Sequence, residues 1–256
     1  MIMILSPAKI FREYSVDQLL AYNPVSYQQQ TEQLVERLSK LKVNELEQLM
    51  KVSEDIAKCN EARYKRFNEP GQKGYYAVDY FYGEAFKGLD APTLSEEARA
   101  FMQEHLRVLS GLYGSLKPMD VIQPYRLEMG SKLSNKKGDS LYKIWKPLLT
   151  KEFLGAIAES KGEKVLLNLA SDEYSKAIDL KHINKSYPVL TLSFKVKKGE
   201  TYKVVGMHAK RARGLMVRYI CEHQIEKLEA LKEFNLEGYH YCEILSTDSE
   251  WTFVKE

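Results

Sequence analysis

The chain of 256 residues has a net charge of +3, with 44% hydrophobic and 29% charged residues. This composition suits a folded domain with a sizeable core, and it excludes a disordered chain and a small disulfide-stapled scaffold. No run approaches the roughly 18 consecutive apolar residues of a membrane span, so no membrane partner is expected.

The apolar start, residues 1–5, reads as a buried first strand. It lacks the basic leader and length of a signal segment and stops at Ser6-Pro7, so a cytoplasmic location is expected. Residues 26–69 have helical spacing, with Leu34, Leu38 and Leu41, then Leu46, Leu49 and Met50, then Ile56 and Ala57. Asn44 or Ser53 is placed to cap helices starting there. A helix opened by Thr93 or Ser95 is expected to run through Phe101, Met102, His105, Leu106 and Leu109 and to end at Gly111.

The second half supplies strands. Residues 165–169 are a near-continuous apolar run, as in a strand covered on both faces, ending in the polar turn 170–173. Residues 189–196 and 201–205 predict a hairpin turned at 197–200. A helix is predicted over 209–231, because Ala212, Leu215, Met216, Tyr219 and Ile220 share one face. Residues 239–245 and 251–254 suggest a closing hairpin. With no internal repeat and no long linker, a single mixed α/β (α+β) domain spanning 1–256 is expected.

Charge is unevenly distributed. Residues 176–218 hold eleven basic side chains against Asp179 and Glu200, a local balance of +9, and the rest of the chain is correspondingly acidic. Cys59, Cys221 and Cys242 are far apart, without a CxxC pair, and read as free thiols. Cys59 sits among Lys58, Arg63 and Lys65, which would favour a thiolate if they were close in space.

Four segments combine reactive side chains with turn residues. Ser6-Pro7-Ala8-Lys9 follows the first strand, where Lys9 could contact phosphate, act as an amine nucleophile or be a plain surface lysine. In residues 123–130, Arg126 could fork onto phosphate beside Tyr125, or pair with Glu128. In residues 168–174, Asp172 and Glu173 could serve as acid and base or hold a metal, or Ser171 or Asp172 could merely cap a helix. Finally Lys210, Arg211 and Arg213 at a predicted helix start suggest a phosphate clamp. There is no Walker loop, GxGxxG, HExxH or GxSxG sequence, and no cofactor is expected.

These segments, together with Leu109-Ser110-Gly111-Leu112-Tyr113-Gly114, stand in an order that resembles the YaaA family across essentially the whole chain. The resemblance implies a cytoplasmic protein of the peroxide stress response that limits damage from iron and hydrogen peroxide. It also implies a compact α/β fold outside the common superfolds, with an embedded helix-hairpin-helix motif and a positively charged cleft for duplex DNA. Such a motif grips phosphates through backbone N–H groups of a tight hairpin and of the helix that follows. One candidate spans residues 45–67, with its hairpin near Lys58-Cys59-Asn60 and Arg63, Lys65 and Arg66 on the second helix. The other uses Gly111 and Gly114.

Three functions therefore compete: DNA binding without catalysis, an enzyme acting on DNA or a nucleotide with Lys9 and Asp172 or Glu173, and an iron-binding or redox protein. The third lacks an obvious ligand cluster, since His105, His182, His208, His223 and His240 are dispersed.

Overall fold

The computed structural model describes residues 1–13, 20–21, 24–67, 69, 73–133, 138 and 140–256. Its strands in chain order are β1 (Ile2–Leu5), β2 (Leu20–Ala21), β3 (Lys73–Tyr76), β4 (Leu106–Ser110), β5 (Gly114–Leu116), β6 (Val121–Ile122), β7 (Leu166–Leu169), β8 (Val189–Lys198), β9 (Thr201–Lys203), β10 (Tyr239–Tyr241) and β11 (Glu250–Lys255). Its α-helices are α1 (Gln28–Leu38), α2 (Val43–Met50), α3 (Glu54–Arg66), α4 (Ala77–Tyr80), α5 (Glu84–Leu89), α6 (Glu96–His105), α7 (Leu141–Glu159), α8 (Asp172–Ser175), α9 (Leu180–Ile183) and α10 (Gly206–Glu222).

The main sheet runs β10-β11-β8-β7-β1-β4-β5, with β9 joined to β8, and β2-β3-β6 form a small second sheet. Strands β4, β1, β7, β8 and β11 are mutually parallel, whereas β5, β9 and β10 pair antiparallel at the margins. Every residue of β1, β4 and β7 is buried, as strands require when both faces are covered. β8 instead alternates, burying Leu190, Leu192, Phe194 and Val196 on one face. One hydrophobic cluster contains these strands with Trp145, Phe153, Met216 and Ile220 of the long helices.

The expected first strand, the strand at 165–169 and the hairpin turned at Gly199 (φ +62°) are present. The closing hairpin is also present, and its second strand adds parallel pairing to β8. The helix expected to reach Gly111 stops at His105. Ser95 caps it, its hydroxyl accepting from the Ala98 N–H at 3.2 Å, but Leu106 turns extended, residues 106–108 pair with β1 and residues 108–110 with β5. Leu106 and Leu109 have the spacing of a helix face, yet the whole run is buried in a sheet, where pairing with a distant strand overrides local periodicity. α10 begins at Gly206 and ends at Glu222, before the predicted end at 231. α7 carries Pro147 and mixed apolar and lysine residues, which obscure its helical stripe.

The turn expected near residues 58–60 is not there, since the span 45–67 holds α2 and α3 joined at residues 51–53, and no helical hairpin forms at Gly111 and Gly114. Residues 58–60 lie in the middle of α3, where buried Asn60 donates to the Ile56 carbonyl at 2.8 Å and accepts from Arg63 at 3.4 Å. Gly111 lies in the link between β4 and β5, and Gly114 is the first residue of β5. Their lack of a Cβ serves packing: one on Gly111 would stand 2.4 Å from the Leu127 carbonyl oxygen, and one on Gly114 (φ +74°) 2.5 Å from the Trp145 ring.

Candidate functional site at the carboxyl edge of the sheet

β1 and β7 are neighbours, with Leu5 opposite Leu169, but the chain leaves them in opposite directions, toward β4 and toward β8. Such a switch in direction opens a crevice beyond the carboxyl ends of the two strands, the usual ligand position in a parallel sheet. Two of the four polar segments meet there directly. The Ser171 N–H donates to the Ser6 hydroxyl oxygen at 2.9 Å, and the Ser6 hydroxyl donates to that of Ser171 at 3.3 Å.

Residues 126–130 cross this edge and tie the segments together. The Lys9 ammonium lies 2.8 Å from a Glu128 carboxylate oxygen, and Arg126 reaches the same oxygen at 3.4 Å. The Gly130 N–H donates to Glu173 at 3.0 Å. From α3, the Tyr64 hydroxyl donates to the Arg126 carbonyl at 2.7 Å, and burial pushes the Tyr64 phenol up. Tyr125 is buried beneath, its hydroxyl 2.6 Å from that of Ser110. Asp172 and Glu173 open the short helix α8. Asp172 faces Arg213 of α10, whose guanidinium is pulled below its ordinary range by burial and partly restored by the Asp172 charge. The Nε donors of Arg126 and Arg213 are buried with no hydrogen-bond partner.

The structure thus brings together Lys9, Arg126, Asp172, Glu173 and Arg213, with Glu128 as the carboxylate that bridges two of the cations. Lys9, Arg126 and Arg213 are balanced by Glu128, Asp172 and Glu173, so these six groups add no net charge to the edge. This mixed arrangement can orient a polar substrate and move protons, but it is a weak phosphate trap by itself.

The other predicted contacts are scattered. Lys58 and Lys65 pair with Glu54 and Glu61 along the exposed side of α3, and Arg66 is exposed near its end. Arg63 is held against Asn60. Because α10 starts at Gly206, Lys210, Arg211 and Arg213 fall beyond its first turn and do not form the expected clamp at a helix start. Arg211 pairs with Glu237 at 2.6 Å, while Lys210 is exposed three positions before Arg213 on the same helix face. The +9 stretch is also divided, since Lys181 and Lys185 precede β8 whereas Lys197, Lys198 and Lys203 lie at its far end.

A basic groove that linear reading missed adjoins the edge. Residues 130–133 form one wall, opposite α1 and α2, and Arg37, Lys40, Lys51 and Lys132 line it against Glu45. Lys51 occupies the turn between α2 and α3 in the left-handed region (φ +53°). The available signal was the helix cap at Ser53, which put a turn just before α3.

A sequence model described as peroxide stress protein YaaA matches residues 1–245. The chain belongs to the YaaA family. It is 42% identical to a UPF0246 protein of Shewanella woodyi over the full length of both chains. It is also 41% identical to a UPF0246 protein of Caulobacter sp. (strain K31) and 40% to one of Psychromonas ingrahamii, covering 100% of this chain and 99% of each relative. Among the described residues of this YaaA family member, no group of three or more His, Cys, Asp or Glu side chains could hold a metal ion. No helix of the described residues is long and apolar enough to cross a membrane.

Cys59 is exposed on α3, Cys242 is half-buried, and Cys221 is buried in α10, where burial pushes its thiol up. A thiol reagent at pH 8 is expected to label Cys59 rapidly and Cys221 only on unfolding, because the thiolate is the reacting form. Mass mapping of a labelling time course checks this; early labelling of Cys221 in folded protein contradicts the packing of α10.

Proposed function

We propose that this peroxide stress protein acts in the cytoplasm by binding the phosphates of duplex DNA with little regard to sequence, and that this occupancy limits oxidative, iron-linked damage. The observation that carries the reading is the course of residues 126–133, which lead from the carboxyl edge into the groove lined by Arg37, Lys40, Lys51 and Lys132. The groove has the surplus of positive charge that the edge lacks, and counterion release from phosphates rewards such a track. The helices flanking residues 51–53 support a hairpin-type phosphate grip at this place. Glu54 and Asp55 in the first turn of α3 oppose an anion there, so Lys51 must supply the attraction.

Titration of a labelled duplex of arbitrary sequence from low to physiological salt tests this. Affinity should fall by about 10-fold or more, with little change when the sequence is scrambled. A salt-independent affinity, or no binding at low salt, overturns it.

A second reading, an enzyme acting on DNA or a nucleotide, is favoured by the meeting of Lys9, Glu128, Asp172 and Glu173 at the switch point. It requires a product, and Lys9→Ala would then abolish turnover while leaving most of the binding intact.

A further inference from the structure

The chain beyond Lys9 is braced against residues 80–82 and leaves an apolar tip, Ile10 and Tyr82, exposed. Phe11 bridges to Phe81 in antiparallel register, the Tyr82 N–H donates to the Ile10 carbonyl at 2.8 Å, and the Arg12 N–H donates to the Tyr80 carbonyl at 2.8 Å. This register puts Ile10 directly opposite Tyr82. Phe11 packs inward on Tyr80 and Phe81, with ring centroids 4.6 and 5.5 Å apart, and leaves Ile10 and Tyr82 at the surface. Ile10 is accordingly 63% exposed and Tyr82 38%.

Two features make this point unlike a stray surface residue. It is rigidly backed, because Phe81 is fully buried and a Cβ on Gly83 would come 3.0 Å from that of Ala8, leaving the two segments no slack. It is also surrounded by cations: Arg12 and Lys87 lie 5.2 and 5.1 Å from the Tyr82 ring centroid, and Lys9 precedes Ile10. Lys9 and Lys87 pair with Glu128 and Glu84 at the surface, contacts weak enough to be exchanged for a phosphate.

From this juxtaposition we infer that Ile10, braced by Tyr82, is a wedge that inserts between base pairs of duplex DNA from the minor groove and bends it, while Lys9, Arg12 and Lys87 hold the flanking phosphates. The inference rests on the DNA-binding reading and adds a mode of engagement to it. An apolar tip ringed by cations matches the alternation of apolar base stack and anionic backbone that a wedging side chain meets. Preorganisation matters because the wedge must offset the cost of unstacking a base step.

The test uses the full chain and duplexes carrying 2-aminopurine at successive positions, with a doubly labelled duplex for the bend. Wild-type protein should raise 2-aminopurine fluorescence at least twofold and shorten the end-to-end distance. Ile10→Ala, checked for an unchanged melting temperature, should lose both signals and bind about three- to tenfold more weakly with the same salt slope. Wild-type binding without a fluorescence change, or a signal that persists in Ile10→Ala, overturns the wedge while leaving salt-dependent DNA binding standing. Absence of any DNA binding removes both. Ile10-dependent binding to phosphatidylserine vesicles, with DNA binding unaffected by Ile10→Ala, replaces the wedge by a lipid-surface contact.

Discussion

Replacing Gly214 by alanine is expected to destabilise the protein by about 3 kcal/mol or more, enough to remove a large part of the stability of an ordinary domain. A Cβ at this position in α10 would stand 1.7 Å from the Ala85 carbonyl oxygen and 2.8 Å from the Leu89 nitrogen. Both are backbone atoms of α5, so no side chain can rotate away and the two helices must separate. Gly88 meets the same crossing from the other side, its added Cβ 2.3 Å from the Arg211 carbonyl oxygen. Alanine gains about 1 kcal/mol in helix propensity over glycine, which is too little to offset the displacement. Gly155 in α7 is the control, since nothing lies within 4 Å of its Cβ position. Gly155→Ala should leave stability unchanged or raise it by about 0.5–1 kcal/mol. Chemical denaturation of both variants checks the contrast, and a Gly214→Ala protein as stable as wild type would contradict the close crossing of α5 and α10. Such a separation would also shift Arg213 from Asp172, so this crossing supports the site as well as the core.

The double variant Lys51→Glu, Lys132→Glu is expected to lower duplex affinity by about 10- to 100-fold at low salt and to flatten the salt dependence by about one unit of slope for each cation replaced. Both residues line the groove beside residues 130–133 and both are exposed, so reversal should alter the field without disturbing the core. Lys58→Ala, Lys65→Ala is the matched control. Those lysines are paired to Glu54 and Glu61 one helical turn away on α3, and their loss should change affinity by less than about threefold. Fluorescence anisotropy at several salt concentrations distinguishes the outcomes. If the control weakens binding and the groove variant does not, the contact lies on the exposed face of α3 and the groove assignment fails.

Where local periodicity and burial agree, the amino-acid sequence by itself determined the structure. The alternation of β8 over a polar turn, the apolar run of β7, the Ser95 cap of α6 and the apolar stripe of α10 each depend on residues within a few positions of one another. The same holds for the segments that carry the family likeness, because they end strands or open helices whatever packs around them. Only the tertiary structure decided that residues 106–110 form a strand, because β1, which pairs with them, lies about a hundred positions earlier in the chain. It likewise decided that Gly111 and Gly114 make room for Leu127 and Trp145, and that Asn60 lies buried inside α3 instead of turning a hairpin.

The site divides along the same line. Lys9, Arg126, Asp172, Glu173 and Arg213 were legible as reactive groups beside turns, but their partnership was not, since Lys9 reaches Glu128 from a segment well over a hundred residues away. The surplus of basic residues over 176–218 was legible as a total and misleading as a patch, because β8 carries its lysines from one end of the sheet to the other. Conversely the groove of Arg37, Lys40, Lys51 and Lys132 has no charge run to announce it. Charge density in space is set by which turns the sheet brings to one edge, and that depends on strand order, a property of the whole chain that no local window contains.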